Sequence, residues 1–226
     1  MSRSSHKPKP TATAAAPRRD ERGYTLVALL ALMTILVLVA MSAAPSLRQQ
    51  VQREREKEAI ARGEEVAEAI ARYTVLKGAP PTELQQLLDG ITPPGSIKKI
   101  QLLRPSAARD PLSKSGEWKV VHPGDKVLAE FQDRVVKYAN VPSVAALPPS
   151  TYRVFDQFRA AVGGLSNINK DRDKDLFDEP ECGEDSEPNT AGGPIIGVVS
   201  RNRCAAVLTF YGIERHDLWV FTPLFR

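Results

Sequence analysis

Arg22-Gly23-Tyr24-Thr25-Leu26-Val27-Ala28-Leu29 marks the point at which this 226-residue chain changes character: beyond it no Lys, Arg, Asp or Glu occurs before Arg48. Residues 24–47 are dominated by Leu, Ala, Val and Met, and as a helix such a run is long enough to cross the roughly 30 Å hydrocarbon core of a bilayer. Its flanks differ. Six cations (Arg3, Lys7, Lys9, Arg18, Arg19, Arg22) and two acids (Asp20, Glu21) precede it, whereas 48–77 mixes both signs. The positive-inside rule then keeps the N-terminus cytoplasmic and exports the rest, anchored in membrane lipid.

A secretory signal peptide would have a shorter apolar region and a small-x-small cleavage site. Ser42-Ala43-Ala44 offers the small residues, but Pro45 would follow the cut, where it is generally not tolerated. Arg18-Arg19 hints at a twin-arginine signal, yet Asp20-Glu21-Arg22-Gly23 is too polar to follow one. The remaining fate is processing ahead of the apolar run. A basic leader ending in Gly23, then Tyr24, Thr25-Leu26 and an apolar helix, resembles the class III signal of type IV pilin-like proteins. The resemblance implies that a membrane-embedded aspartic prepilin peptidase cuts after Gly23 and methylates the new N-terminus at Tyr24. Pro45 stands where many members have a helix-kinking proline, and Ala28 where the family usually has Glu; both bear on helix assembly.

The basic pI of about 9.1 misleads. The leader's cations and acids already account for the whole formal net charge of +4, so the processed chain is close to neutral. Nucleic acid is not implied as a partner, because such binding rests on concentrated positive charge. Cys182 and Cys204 both lie in the part expected to be exported, where an oxidising compartment permits a disulfide. Their pairing would stabilise the domain by roughly 3 kcal/mol in the chain-entropy model; free thiols are the alternative, and redox chemistry lacks a Cys-x-x-Cys pair.

Three segments follow from composition and periodicity: a leader over 1–23, a helix over 24–77 that is transmembrane over 24–47, and a globular domain over 78–226. After Pro45, where a kink is expected, Ala59, Gly63, Val66, Ile70 and Tyr73 recur at spacings of four and three, an amphipathic helix. If continuous from Tyr24 to Leu76 the helix would be about 80 Å long. Arg53-Glu54-Arg55-Glu56-Lys57-Glu58 reads as a solvated face near the headgroups. Gly78-Ala79-Pro80-Pro81 ends the helix, and Thr82 starts a short one with Leu84, Leu87 and Leu88 on one face, closed by Gly90. A strand or extended packing segment is expected over 97–103, a turn at Arg109-Asp110-Pro111, and a strand at Trp118 and Val120. Apolar spacings over 125–164 favour two helices separated by Pro148-Pro149, an insertion relative to the compact pseudopilin pattern.

Residues 163–193 form a polar loop with Asn167, Asn169, Asp171, Asp173, Asp175, Asp178, Glu179, Glu181, Glu184 and Asp185. Clustered oxygens suit Ca²⁺. The EF-hand pattern fails, because Leu176 stands where Gly is needed and Cys182 where the bidentate Glu belongs. A solvated acidic loop is the plain reading; a loop-type Ca²⁺ site resembling that of some pseudopilins is the alternative, and no other cofactor is expected. The runs 195–200, 205–211 and 217–222 suit an antiparallel meander, which the amphipathic half of the first helix can cover.

The expected fold is therefore α+β and pilin-like, a long N-terminal transmembrane and amphipathic helix packed on a C-terminal antiparallel β-sheet. The resemblance implies a pseudopilin of a type II secretion (or type IV pilus-like) filament. It would sit in the inner membrane with its C-terminal domain periplasmic, and its partners would be other pseudopilins and an inner-membrane assembly platform. A carboxylate in lipid needs a partner, so Ala28 suits a minor or tip subunit. The alternative is a single-pass, inner-membrane-anchored periplasmic protein that never enters a filament. An enzyme is not expected: His6, His122 and His216 show no metal-ligand spacing, and neither a Gly-x-Ser-x-Gly elbow nor a phosphate loop occurs.

Overall fold

The structure, a computed structural model, describes residues 21–93, 95–156, 182–189 and 192–225, with the side chains of 21–23, 40 and 42–48 also outside the description. The chain is α+β, a mixture of helices and small antiparallel sheets. It divides into two units, Met1–Leu47 and Arg48–Arg226. The first helix, α1, is Glu21–Lys77. In the first unit the described side chains of 24–39 and 41 are exposed, on every face of the helix. No helix among the described residues is long and apolar enough to cross a membrane. The uninterrupted described side chains, 24–39, would span about 24 Å at 1.5 Å per residue, whereas the sequence's uncharged run goes on to Leu47. The kink expected at Pro45 falls where side chains lie outside the described residues.

In the second unit α1 buries the stripe that the periodicity predicts. Ala59, Gly63, Val66 and Ile70 are buried and Tyr73 is half-buried. Gly78 ends the helix in the left-handed region (φ 77°), its N–H returning to Thr74 O at 2.8 Å. The short helix α2 (Gln85–Asp89) buries Leu87 and stops at Gly90. Over 97–103 no strand forms: a single bridge joins Ile91 to Ile100, while Leu103 is buried and Ile97 fully exposed. That is an extended packing segment.

Strand β1 (Lys119–Val121) pairs antiparallel with β2 (Gly197–Val199), with Val120 opposite Val198. Helix α3 (Lys126–Tyr138) presents Leu128, Phe131 and Val135 to the core. Of the second helix expected in this region, the described part holds a 3-10 turn, Arg153–Phe155, and helical Asp156, and the rest lies outside the described residues.

The C-terminal meander needs correction. β2 pairs with β1 and not with its sequence neighbour, while β3 (Ala205–Phe210) pairs with β4 (Ile213–Arg215), so two separate two-stranded ribbons replace one sheet. The residues Gly212-Ile213-Glu214-Arg215, expected to divide strands, instead supply β4. The reason is the turn. Tyr211 (φ 50°) and Gly212 (φ 72°) both adopt positive φ, the condition for a two-residue I′ hairpin whose twist matches the strands. The last expected strand, 217–222, is a 3-10 turn (His216–Leu218) followed by one bridge from Phe221 to Val198. Phe221 and Trp118 meet edge-on at 5.7 Å, and both indoles are satisfied: Trp118 donates to Ala107 O and Trp219 to Ile213 O, each at 2.9 Å.

Candidate functional site

Glu56 and Gln52 sit one and two turns ahead of Ala59 on the stripe that faces the core. Glu56 is fully buried, which corrects the expectation that Arg53 to Glu58 is solvated throughout. A buried carboxylate must find donors, and this one finds four groups. Its Oε1 accepts from Val207 N (2.9 Å), Gln52 Nε2 (2.9 Å) and His216 Nε2 (3.0 Å), and its Oε2 from Leu208 N at 2.7 Å and Val207 N at 3.1 Å. Gln52 also donates to Ala205 O at 3.2 Å. The two adjacent N–H groups belong to the irregular stretch of β3, where its register with β4 shifts. Burial pushes the Glu56 carboxyl up, but the backbone donors of Val207 and Leu208, with His216 and Gln52, outweigh it and hold the group below its ordinary value.

His216, expected at a surface turn, is buried and stands edge-on to Trp219 at 5.0 Å. Donation to a carboxylate places a proton on Nε2, and Nδ1 has no partner among the described residues. The bonds of Glu56 tie α1 to β3 and to the turn after β4. His122 bonds Pro194 O through Nδ1 at 3.0 Å, and His6 lies outside the described residues.

Cys182 and Cys204 are joined in a disulfide. They close a ladder: Arg203 N donates to Gly183 O and Asp185 N to Arg201 O, both at 2.8 Å, around the Glu184–Asn202 bridge. Asn189 then covers the open edge of β1 with one side-chain amide, accepting from Val120 N (3.1 Å) and donating to Trp118 O (3.0 Å), as a neighbouring strand would.

The described part of the acidic loop is not merely solvated. Glu184 accepts from the Ser113 and Ser115 hydroxyls and from Ser115 N, which hold its carboxyl at about 2. Burial raises Asp185, but Lys119 at 2.5 Å and Arg203 at 3.3 Å leave it below its usual value. These two oxygen donors of the Ca²⁺ alternative are thus engaged by the protein's own hydroxyls and cations. The others, Asn167 through Glu181, lie outside the described residues, and among the described residues no group of three or more His, Cys, Asp or Glu could hold a metal. A cleft of about 400 Å³ beside Lys119 and Asp185 is also lined by Glu130, Arg203, Arg215 and Asp217, and its cations already face carboxylates, Arg215 on Asp217 at 2.5 Å.

With so many bonds beside the disulfide, reduction is expected to lower global stability by roughly 3 kcal/mol while leaving 183–185 paired with 201–203. Hydrogen exchange checks it: the Asp185 and Arg203 amides should stay protected in reductant, and their full loss of protection would show that the disulfide alone holds the ladder.

Of the remaining residues singled out by the sequence, Gly23 and Tyr24 fall within α1, and Tyr24 and Ala28 are exposed. Pro45 also falls within α1. Gly23, Tyr24 and Ala28 belong to the first unit, and Cys182 and Cys204 to the second. Compared with protein-family models, with curated proteins and with solved structures, the chain matches none.

Proposed function

We propose that this chain is a pseudopilin-like subunit, anchored in the inner membrane by α1, with its leader removed after Gly23 and its globular unit held in the periplasm. In this reading it assembles through its apolar helix with other pseudopilins on an inner-membrane platform, in support of protein export. The observation that carries the reading is the contrast within α1. Its described side chains over 24–39 are apolar or uncharged and exposed on all faces, whereas 52–74 buries a stripe against the domain. A helix that is apolar all round needs an apolar surrounding such as lipid or other helices. Ala28, in place of a carboxylate, suits a minor or tip position.

The N-terminus tests it. Protein purified from membranes should begin at a methylated Tyr24, and Gly23→Leu should accumulate as the uncleaved precursor. A wild-type chain that begins at Met1 or Ser2 would instead favour the anchored protein that never enters a filament. Counting copies in sheared filaments tests the tip position: parity with the principal subunit excludes it.

A further inference from the structure

We infer that the stretch of α1 just beyond the uncharged run is a contact for anionic phospholipid headgroups, made by Arg53 and Arg55; this rests on the membrane reading of that run. As sequence, Arg53-Glu54-Arg55-Glu56-Lys57-Glu58 carries three charges of each sign and cancels. The fold undoes the cancellation. Glu56 is withdrawn into the core on Val207, Leu208, Gln52 and His216. Lys57 Nζ pairs with Glu54 at 2.8 Å, and Glu58 with Arg62 at 2.5 Å. Arg53 and Arg55 stay exposed and form no ion pair among the described residues, so an apparently neutral segment presents net positive charge.

Its placement fits a headgroup layer. The two arginines stand five and seven residues past Arg48, about 8 and 11 Å along the helix. Helical side chains lean toward the N-terminal end, which here is the side of the uncharged run. Two positions apart, the arginines lie about 200° from one another around the axis, so they flank the helix. That suits a surrounding of lipid better than one flat protein partner. A guanidinium also matches a phosphate with paired N–H donors, and a cation near an anionic surface favours it by about fivefold.

The test uses the full chain reconstituted into phosphatidylcholine bilayers with a minor share of phosphatidylglycerol, with spin-labelled lipids reporting which headgroup the protein shell prefers. Wild type should select phosphatidylglycerol several-fold more strongly than Arg53→Gln/Arg55→Gln, and high salt should erase the difference. Arg53→Lys/Arg55→Lys should keep most of the selectivity, and Glu54→Gln, which frees Lys57, should raise it. Protected Val207 and Leu208 amides in each variant report that the domain is intact. Equal selectivity in wild type and the glutamine pair, with the chain held in the bilayer, overturns the headgroup contact and leaves the anchor standing. A chain that does not enter the bilayer overturns the anchor, and this inference with it.

Discussion

Glu56→Leu is expected to cost about 4 kcal/mol of folding stability, the range found when one partner of a buried charged network is removed and the others are left behind. The leucine fills the space but leaves the Val207 and Leu208 N–H groups, Gln52 Nε2 and His216 Nε2 without their acceptor. Glu56→Gln should cost less, about 1 to 2 kcal/mol. Its one carbonyl oxygen can serve the two backbone donors, while its amide nitrogen faces Gln52 and His216, which must reorient. Denaturation of the full chain gives the magnitudes, and hydrogen exchange gives the location: the Val207 and Leu208 amides should lose protection first, with Val198 and Phe221 still protected. A Glu56→Leu chain as stable as wild type would show that this carboxylate is not the lock between α1 and β3.

The same residue sets an acid limb. Its folded pKa lies below the ordinary value of 4.5, so its stabilisation is complete above that value and is lost as pH falls through the folded one. Asp110 slopes the other way. Burial raises it, although Ser200 Oγ donates to it at 2.7 Å, so its contribution is present below 3.8 and lost as pH rises through its folded pKa. The Glu56→Gln chain should therefore lose less stability than wild type between neutral pH and pH values below about 4.5.

Why Glu56 was hard to see in the sequence is instructive about what periodicity reports. Ala59, Gly63, Val66 and Ile70 follow the helix period, and stepping the same stripe backward by three and then four residues lands on Glu56 and Gln52. The position was legible; the residue type concealed it, because a Glu in an alternating charged run is normally solvated. His216 was concealed for a matching reason, since a lone histidine in a turn gives no sign of the carboxylate 160 residues earlier that buries it. Strand pairing was the other loss. Short apolar runs near the C-terminus announced β-structure but not partners, and β2 found β1 across more than 70 residues, a choice made by burial on both faces of β2. By contrast the helix ends at Gly78 and Gly90 and the strand that takes in Val120 carry local signals, and the Cys182–Cys204 pair joins the two cysteines the chain has; each appears where it was expected.

Gly63→Val should be the second large loss on the buried face of α1, after Glu56→Leu. Gly63 has ordinary helical backbone geometry, so its role is space. A Cβ built there would lie 2.6 Å from Phe221 Cε2, with Cγ and Cδ2 of the same ring closer still. The ring cannot simply swing away. It is fixed edge-on to Trp118, lies 5.2 Å from Phe210, and its backbone pairs with Val198 through N–H to O at 2.8 Å and O to N–H at 3.0 Å. Overpacking a core of this kind costs about 1 to 3 kcal/mol for an added methylene or two. Gly63→Ala offsets part of that through a helix-propensity gain of about 1 kcal/mol, so alanine should be destabilising by about 1 kcal/mol and valine, with two further methyls and no such gain, by about 3 kcal/mol. The double variant Gly63→Ala/Phe221→Leu separates packing from backbone effects, because the smaller side chain opens the space that the new methyl needs. The two substitutions should then be non-additive, the pair less destabilised than the sum of the singles by about 1 kcal/mol. Strict additivity, or a Gly63→Val chain that unfolds at the same denaturant concentration as wild type, would mean that α1 does not pack against Phe221 through this glycine.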